Sequence, residues 1–95
     1  MRIETTRTFR EWIDGLRDLV GRARIQTRIE RLASGNPGLH RVLSDGVREL
    51  KIDAGPGYRV YYVQRARVMI VLLAGGDKST QREDIALAIA LARNL

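Results

Sequence analysis

The sequence predicts a single α+β domain. An N-terminal αα-hairpin packs on a small antiparallel sheet, built of a short edge strand and a three-stranded meander, and a C-terminal helix closes the chain. Three observations carry this expectation. Residues 47–80 hold three strand signals separated by two turn signals in direct succession. The segments on either side repeat their apolar residues at helical spacing. A chain of 95 residues is long enough for one modest core, with no room for a second.

Taken in order, residues 3–5 form a short candidate edge strand. Thr8 and Glu11 follow with the spacing of a capping box, so a helix is expected to start there. Phe9, Trp12, Ile13, Leu16, Leu19 and Val20 make one apolar stripe that ends near Gly21. Trp12 lies in the middle of that stripe and reads as core, not as a platform for a base. A second helix over residues 22–34 turns Ile25, Ile29 and Leu32 inward and stops at Gly35, Asn36 and Pro37, completing the hairpin.

In the meander, residues 47–53 alternate, with Leu50 and Ile52 on one face and Glu49, Lys51 and Asp53 on the other. The turn residues Ala54, Gly55, Pro56 and Gly57 end this run. Residues 58–64 are rich in β-branched and aromatic side chains, and residues 68–74 are apolar throughout, the pattern of a central strand buried on both faces. Thr80 and Glu83 repeat the capping-box spacing before a run of good helix formers to Leu95. That helix carries two stripes, Ile85, Ala88, Ile89, Ala92 and Leu87, Leu91, Leu95. One sheet face does not cover both, so the leucine stripe meets either a partner or the N-terminal helices.

Seventeen Lys and Arg against eleven Asp and Glu give a net charge of +6, which favours encounter with polyanions but equally suits a plain basic surface. The absence of cysteine excludes disulfides and thiolate metal sites. With no signal peptide at Met1 and no apolar run approaching the ~20 residues that span a bilayer, a cytoplasmic protein without membrane contact is expected. Arg17, Arg24, Arg28 and Arg31 fall on the outer side of the helical hairpin, either as a solvated face or as a contact for ribosomal RNA or another nucleic acid. His40 is the sole imidazole and reads as a surface or loop-packing residue, since no partner pattern surrounds it.

Strand pairing turns the meander into a candidate site. A hairpin centred on Gly55 sets Lys51 opposite Arg59, on the face away from Leu50, Ile52, Tyr58 and Val60. A second hairpin closing near Arg65 and Ala66 returns the loop of Gly75, Gly76, Asp77 and Lys78 to the neighbourhood of Arg59. Lys51, Arg59 and Lys78 are thus expected to converge. The sequence offers no metal-ligand cluster, nucleophilic triad or phosphate-cradling loop, so neither a metal nor a cofactor is expected. Cleavage of RNA by its own 2′-hydroxyl needs a base, charge stabilisation on the phosphorane and a proton for the leaving oxygen. Arg59 and Lys78 are candidates for the stabilisation. Lys51, crowded by other cations, or Glu49 is the candidate base, and Tyr61 can stack on a base or donate a proton.

The runs SDGVRELKI, GPGYRVYY and GGDKSTQ, in that order and spacing, resemble the RelE/ParE toxin superfamily of bacterial toxin–antitoxin pairs, and within it the HigB-like addiction module killer proteins. The resemblance covers essentially the whole chain. It implies a toxin that cleaves mRNA in the ribosomal A site with basic side chains on a concave sheet face, and a cognate antitoxin that is a small DNA-binding protein. Arg59 matches the family's strand arginine, Lys51 matches a basic residue of the preceding strand if the hairpin is one residue longer, and Lys78 falls in a loop where the family places another cation. Glu49 stands where RelE has a second lysine, and the tyrosine that RelE carries early in its last helix is missing from residues 81–85. Two other outcomes belong to the same resemblance: a ParE-like inhibitor of DNA gyrase without RNase activity, and a degenerate member that only binds its antitoxin.

Overall fold

The computed structural model describes residues 1–95. The elements follow as β1 (Arg2–Thr5), α1 (Arg7–Asp14), α2 (Leu19–Ala33), β2 (His40–Val42), β3 (Arg48–Ile52), β4 (Tyr58–Arg65), β5 (Met69–Gly76), a 3-10 turn (Lys78–Thr80) and α3 (Gln81–Arg93). The α+β class, the meander β3-β4-β5 and the C-terminal helix are as the sequence predicts.

Period-2 alternation fixes the sheet. In the first hairpin Leu50 pairs with Val60 and Lys51 with Arg59, the register expected from a turn centred on Gly55. That turn needs left-handed backbone at Gly55 (φ 51°) and Gly57 (φ 81°), a conformation that costs glycine nothing. The strand order is β1-β5-β4-β3-β2. Three details differ from expectation. β1 runs parallel to β5, pairing Ile3 with Ile70, so the sheet is mixed and not purely antiparallel. The chain must cross over through both N-terminal helices before its next strand, which permits a parallel return. The middle position belongs to β4, although β5 is indeed buried on both faces. An additional edge strand, β2, pairs with β3; its three residues are all exposed, so no apolar alternation announced it.

The helices lie on opposite faces. α1 and α2 cover a core of Phe9, Ile13, Ile25 and Leu32 against Leu50, Val60, Tyr62 and Leu72, with Trp12 packed beside it. α3 covers a second core of Val47, Tyr61, Val63, Leu73 and Ala88. A bulge where β4 passes from Tyr61 to Tyr62 lets Leu73 and Ala74 both join this second core. The sheet separates α3 from the N-terminal helices, so these do not supply a cover for the leucine stripe.

The N-terminal helices break earlier than the stripe implied. α1 is capped by Thr6, whose hydroxyl accepts from Phe9 N at 3.0 Å, and not by Thr8; it ends at Gly15. α2 starts at Leu19 because Asp18 caps it, accepting from Gly21 N at 2.9 Å. Asp18 also accepts from the Tyr58 hydroxyl at 2.8 Å, which ties the helix start to β4. Gly21 therefore marks a close approach instead of a helix end: a Cβ there would fall 2.5 Å from the Tyr58 ring and 2.6 Å from the Asp18 carboxylate. At the other end of the chain Thr80 makes no side-chain cap; its hydroxyl donates to Asp84 at 2.6 Å, and the 3-10 turn leads into α3. No helix is long and apolar enough to cross a membrane.

Candidate functional site

The face covered by α3 is left open at one end, where β2, β3 and β4 outrun the helix. Leu39, His40, Arg41, Glu49, Lys51, Arg59 and Gln81 line a cleft of about 310 Å³ there. Apart from Leu39, in the loop before β2, its side chains stand on three strands and the first residue of α3.

Arg59 is its most constrained member. It is only 5% exposed, and one terminal nitrogen donates to the Gly57 carbonyl of its own turn. Its Nε is buried with no partner. An unmet charged donor in the interior costs about 1–3 kcal/mol or more. Lys51, directly opposite on β3, is exposed. Neither cation takes part in an ion pair.

Glu49 is the cleft's one carboxylate, and it is already engaged. Arg41 Nε donates to Oε1 at 2.8 Å and Gln81 Nε2 donates to Oε2 at 3.0 Å. Burial pushes the carboxyl up, but the bonds from Arg41 and Gln81, with the nearby Tyr61 hydroxyl and the Arg41 charge, outweigh it and hold Glu49 below the ordinary glutamate value. A carboxylate so stabilised is a weak base. Tyr61 is fully buried beneath α3; burial, then the adjacent Glu49 charge, pushes its phenol far up, and its hydroxyl has no partner of good hydrogen-bond geometry. Tyr61 is therefore out of reach of a nucleotide, which corrects the expectation that it stacks or donates a proton.

His40 borders the cleft. Its Nδ1 lies 2.8 Å from the Gly38 carbonyl, and since a carbonyl only accepts, Nδ1 is the donor in this contact.

Residues 11–94 match the family described as Phage derived protein Gp49-like (DUF891). The chain belongs to this family. A relative from Haemophilus influenzae, described as an uncharacterized protein, is 47% identical over 95 residues, which is 100% of this chain and 96% of the relative. The solution structure of a conserved hypothetical protein from Helicobacter pylori superposes with a TM-score of 0.52 at 18% identity, over 83% of this chain and 96% of that one, and shows a shared fold. The Gp49-like assignment is consistent with a type II toxin–antitoxin module.

In this Gp49-like chain the remaining predicted residues scatter. Lys78 sits exposed on the 3-10 turn and is absent from the cleft lining, though its Cβ would lie 3.6 Å from a Cβ placed on Gly57. Arg17 falls in the connection between α1 and α2, which breaks the four-arginine stripe. Arg24, Arg28 and Arg31 share one side of α2. Arg28 donates to the carbonyls of Lys51, Pro37 and Leu39 at 2.7, 2.9 and 3.0 Å, so it braces the loop before β2. On α3, Leu91 packs partly on the second core, while Leu87 and Leu95 are 42% and 55% exposed. Sequence reasoning missed Arg41 and Gln81 and set His40 aside. All three depend on β2 or on the docking of α3, neither of which has a local signal.

Proposed function

We propose that the chain is the toxin of a type II toxin–antitoxin pair, of the RelE/ParE superfamily and HigB-like, and that it is a metal-independent endoribonuclease acting on mRNA at the ribosome. The observation that carries this is Arg59: a nine-tenths buried guanidinium with an unmet donor, in a cleft opposite Lys51, whose one acid is already paired. Such a group suits the phosphate of a nucleic acid, which a guanidinium meets with more than one N–H.

The chemistry follows from those positions. The 2′-oxygen attacks phosphorus, a 2′,3′-cyclic phosphate forms as the bond to the 5′-oxygen breaks, and the leaving 5′-oxygen takes its proton from solvent water. Arg59 and Lys51 stabilise the charge that builds on the phosphorane oxygens, with Arg41 at the rim, and Lys78 extends the positive surface beyond the turn. His40 Nε2 takes the proton of the 2′-hydroxyl, a role that Glu49 and Tyr61 are too tightly held to fill. Leu87 and Leu95 remain the surface of α3 on which an antitoxin segment can lie.

The test is expression of the chain alone, followed by sequencing of mRNA ends. Lys51→Ala, at an exposed position, is expected to lower cleavage about 100-fold with the melting temperature unchanged. Arg59→Ala is expected to abolish it. Double-strand DNA breaks with intact mRNA would instead identify a gyrase poison, and absence of any growth defect would identify a module that only binds its antitoxin.

A further inference from the structure

At the end of the β3–β4 ladder away from Lys51 and Arg59, Arg48 pairs with Tyr62, and both stand on the sheet face that carries α1 and α2. There the end of α2 and the turn between β4 and β5 leave a pocket of about 290 Å³, walled by Leu32, Pro37, Arg48, Tyr62, Gln64 and Arg67. Its wall holds two guanidiniums and no carboxylate, and neither Arg48 nor Arg67 forms an ion pair. Tyr62 is fully buried, yet its hydroxyl has no hydrogen-bond partner. Burial pushes this phenol up and the nearby Arg48 charge draws it back. A guanidinium only donates, so the closeness of Arg48 still leaves the phenolic O–H without an acceptor. Gln64 Nε2 donates to the Ala66 carbonyl at 3.1 Å, which braces the turn that carries Arg67.

We propose that this pocket binds a small phosphate monoester, its dianionic head on Arg48 and Arg67 and its organic body against Leu32 and Pro37. The head supplies what the wall lacks, negative charge and an acceptor for a phenolic proton. At pH 7 a monoester carries about −1.5 to −2, which balances two guanidiniums, whereas a carboxylate balances one. The planar fork of arginine also meets phosphate oxygens in pairs. Size favours an ester over the bare ion: at about 30 Å³ for each water of the liquid, the pocket has the volume of roughly ten waters, more than a phosphate fills. A divalent cation does not suit the site, since no wall residue carries a negative charge. A strand of RNA suits it no better, because each backbone phosphate carries a single charge and the Tyr62 ring is packed in the core, where no base can stack on it. The pocket and the cleft lie on opposite sheet faces, so this assignment does not rest on the cleft chemistry.

The experiment is calorimetric titration of the full chain with phenyl phosphate, with inorganic phosphate and benzoate as comparisons. Phenyl phosphate is expected to bind saturably at one site, at least about tenfold more tightly than either comparison. Arg48→Gln and Tyr62→Phe are each expected to weaken it about tenfold or more, and Lys51→Ala, in the cleft, to leave it unchanged. Tyr62→Phe removes a hydroxyl that has no partner in the free chain, so the melting temperature of the ligand-free variant is expected to hold or rise. If Arg48→Gln melts early, Arg67→Gln, on the exposed turn, replaces it. The proposal is overturned if phenyl phosphate does not bind saturably, or if the Arg48, Arg67 and Tyr62 variants bind it as wild type does. It is equally overturned if binding is lost only in Lys51→Ala, which places the ligand in the cleft, or if inorganic phosphate binds as tightly as the ester. Displacement of phenyl phosphate by a single-stranded RNA oligonucleotide whose own binding fails in Arg48→Gln would overturn it too, making the pocket a nucleic-acid contact.

Discussion

At the scale of single residues, one carboxylate does two jobs: Asp18 caps α2 and receives the Tyr58 hydroxyl at 2.8 Å. Burial, then the Asp18 bond and charge, pushes Tyr58 up to about 12. A phenol is neutral when protonated, so the folded state holds this proton more tightly than the unfolded one. The stability it contributes is complete below about pH 10 and is lost as pH climbs toward the folded value. Tyr58→Phe is expected to lose about 1–2 kcal/mol in urea unfolding at pH 7 and to lose its share of the alkaline decline. Glu49 has the opposite sign. Its folded value is depressed, so its contribution is present above about pH 4 and lost as pH falls through the lower folded value. Glu49→Gln, measured by unfolding across that range, is expected to flatten part of the acid limb. The Lys51 and Arg59 pair was legible from one turn and period-2 alternation, since both depend on neighbours in sequence. The sealing of Tyr61 and the reach of Gln81 to Glu49 were not, because they depend on where α3 lands across the sheet.

At the scale of elements, Gly21 shows how one residue type can mean two things. Read along the chain it ends an apolar stripe; in the fold it admits the Tyr58 ring and the Asp18 carboxylate against α2. Gly21→Ala is accordingly expected to destabilise by about 1–3 kcal/mol despite the better helix propensity of alanine, and a gain in melting temperature would contradict the packing. The α2 start was hidden for the same reason: a continuous 3.6 period through Leu16, Leu19 and Val20 suggests one helix, whereas the cap at Asp18 resets it. On α3 the leucine stripe divides. Leu91→Asp places a charge against the second core, so its melting temperature is expected to drop by at least about 4 °C. Leu87→Asp is expected to leave melting unchanged and, if an antitoxin covers this stripe, to weaken that complex more than tenfold. Undiminished antitoxin affinity in the Leu87 variant would remove α3 from the interface.

At the scale of the whole molecule, charge and size together bear on how the proposed RNase would find its substrate. The body measures 32 × 27 × 22 Å and carries +6, with unpaired cations on both sheet faces. Such a surface attracts RNA in many orientations and without regard to sequence, and counterion release makes that attraction fall steeply with salt. The cleft, at about 310 Å³, has room for little more than a phosphodiester and its sugar, so it grips too short a stretch to align the 2′-oxygen, phosphorus and leaving oxygen unaided. Alignment of that kind is worth about 7–11 kcal/mol of barrier, far more than one imidazole supplies, and a ribosome holding mRNA in place is the partner able to provide it. Naked RNA is therefore expected to bind the purified chain with a strong salt dependence and to be cut slowly, while the same RNA on a ribosome is cut rapidly and loses its cleavage with Lys51→Ala. Efficient cleavage of a short oligonucleotide without ribosomes would show that the cleft positions its substrate by itself, and would shift the search for further contacts to Arg41 and His40 at the cleft and to Lys78 beyond the turn.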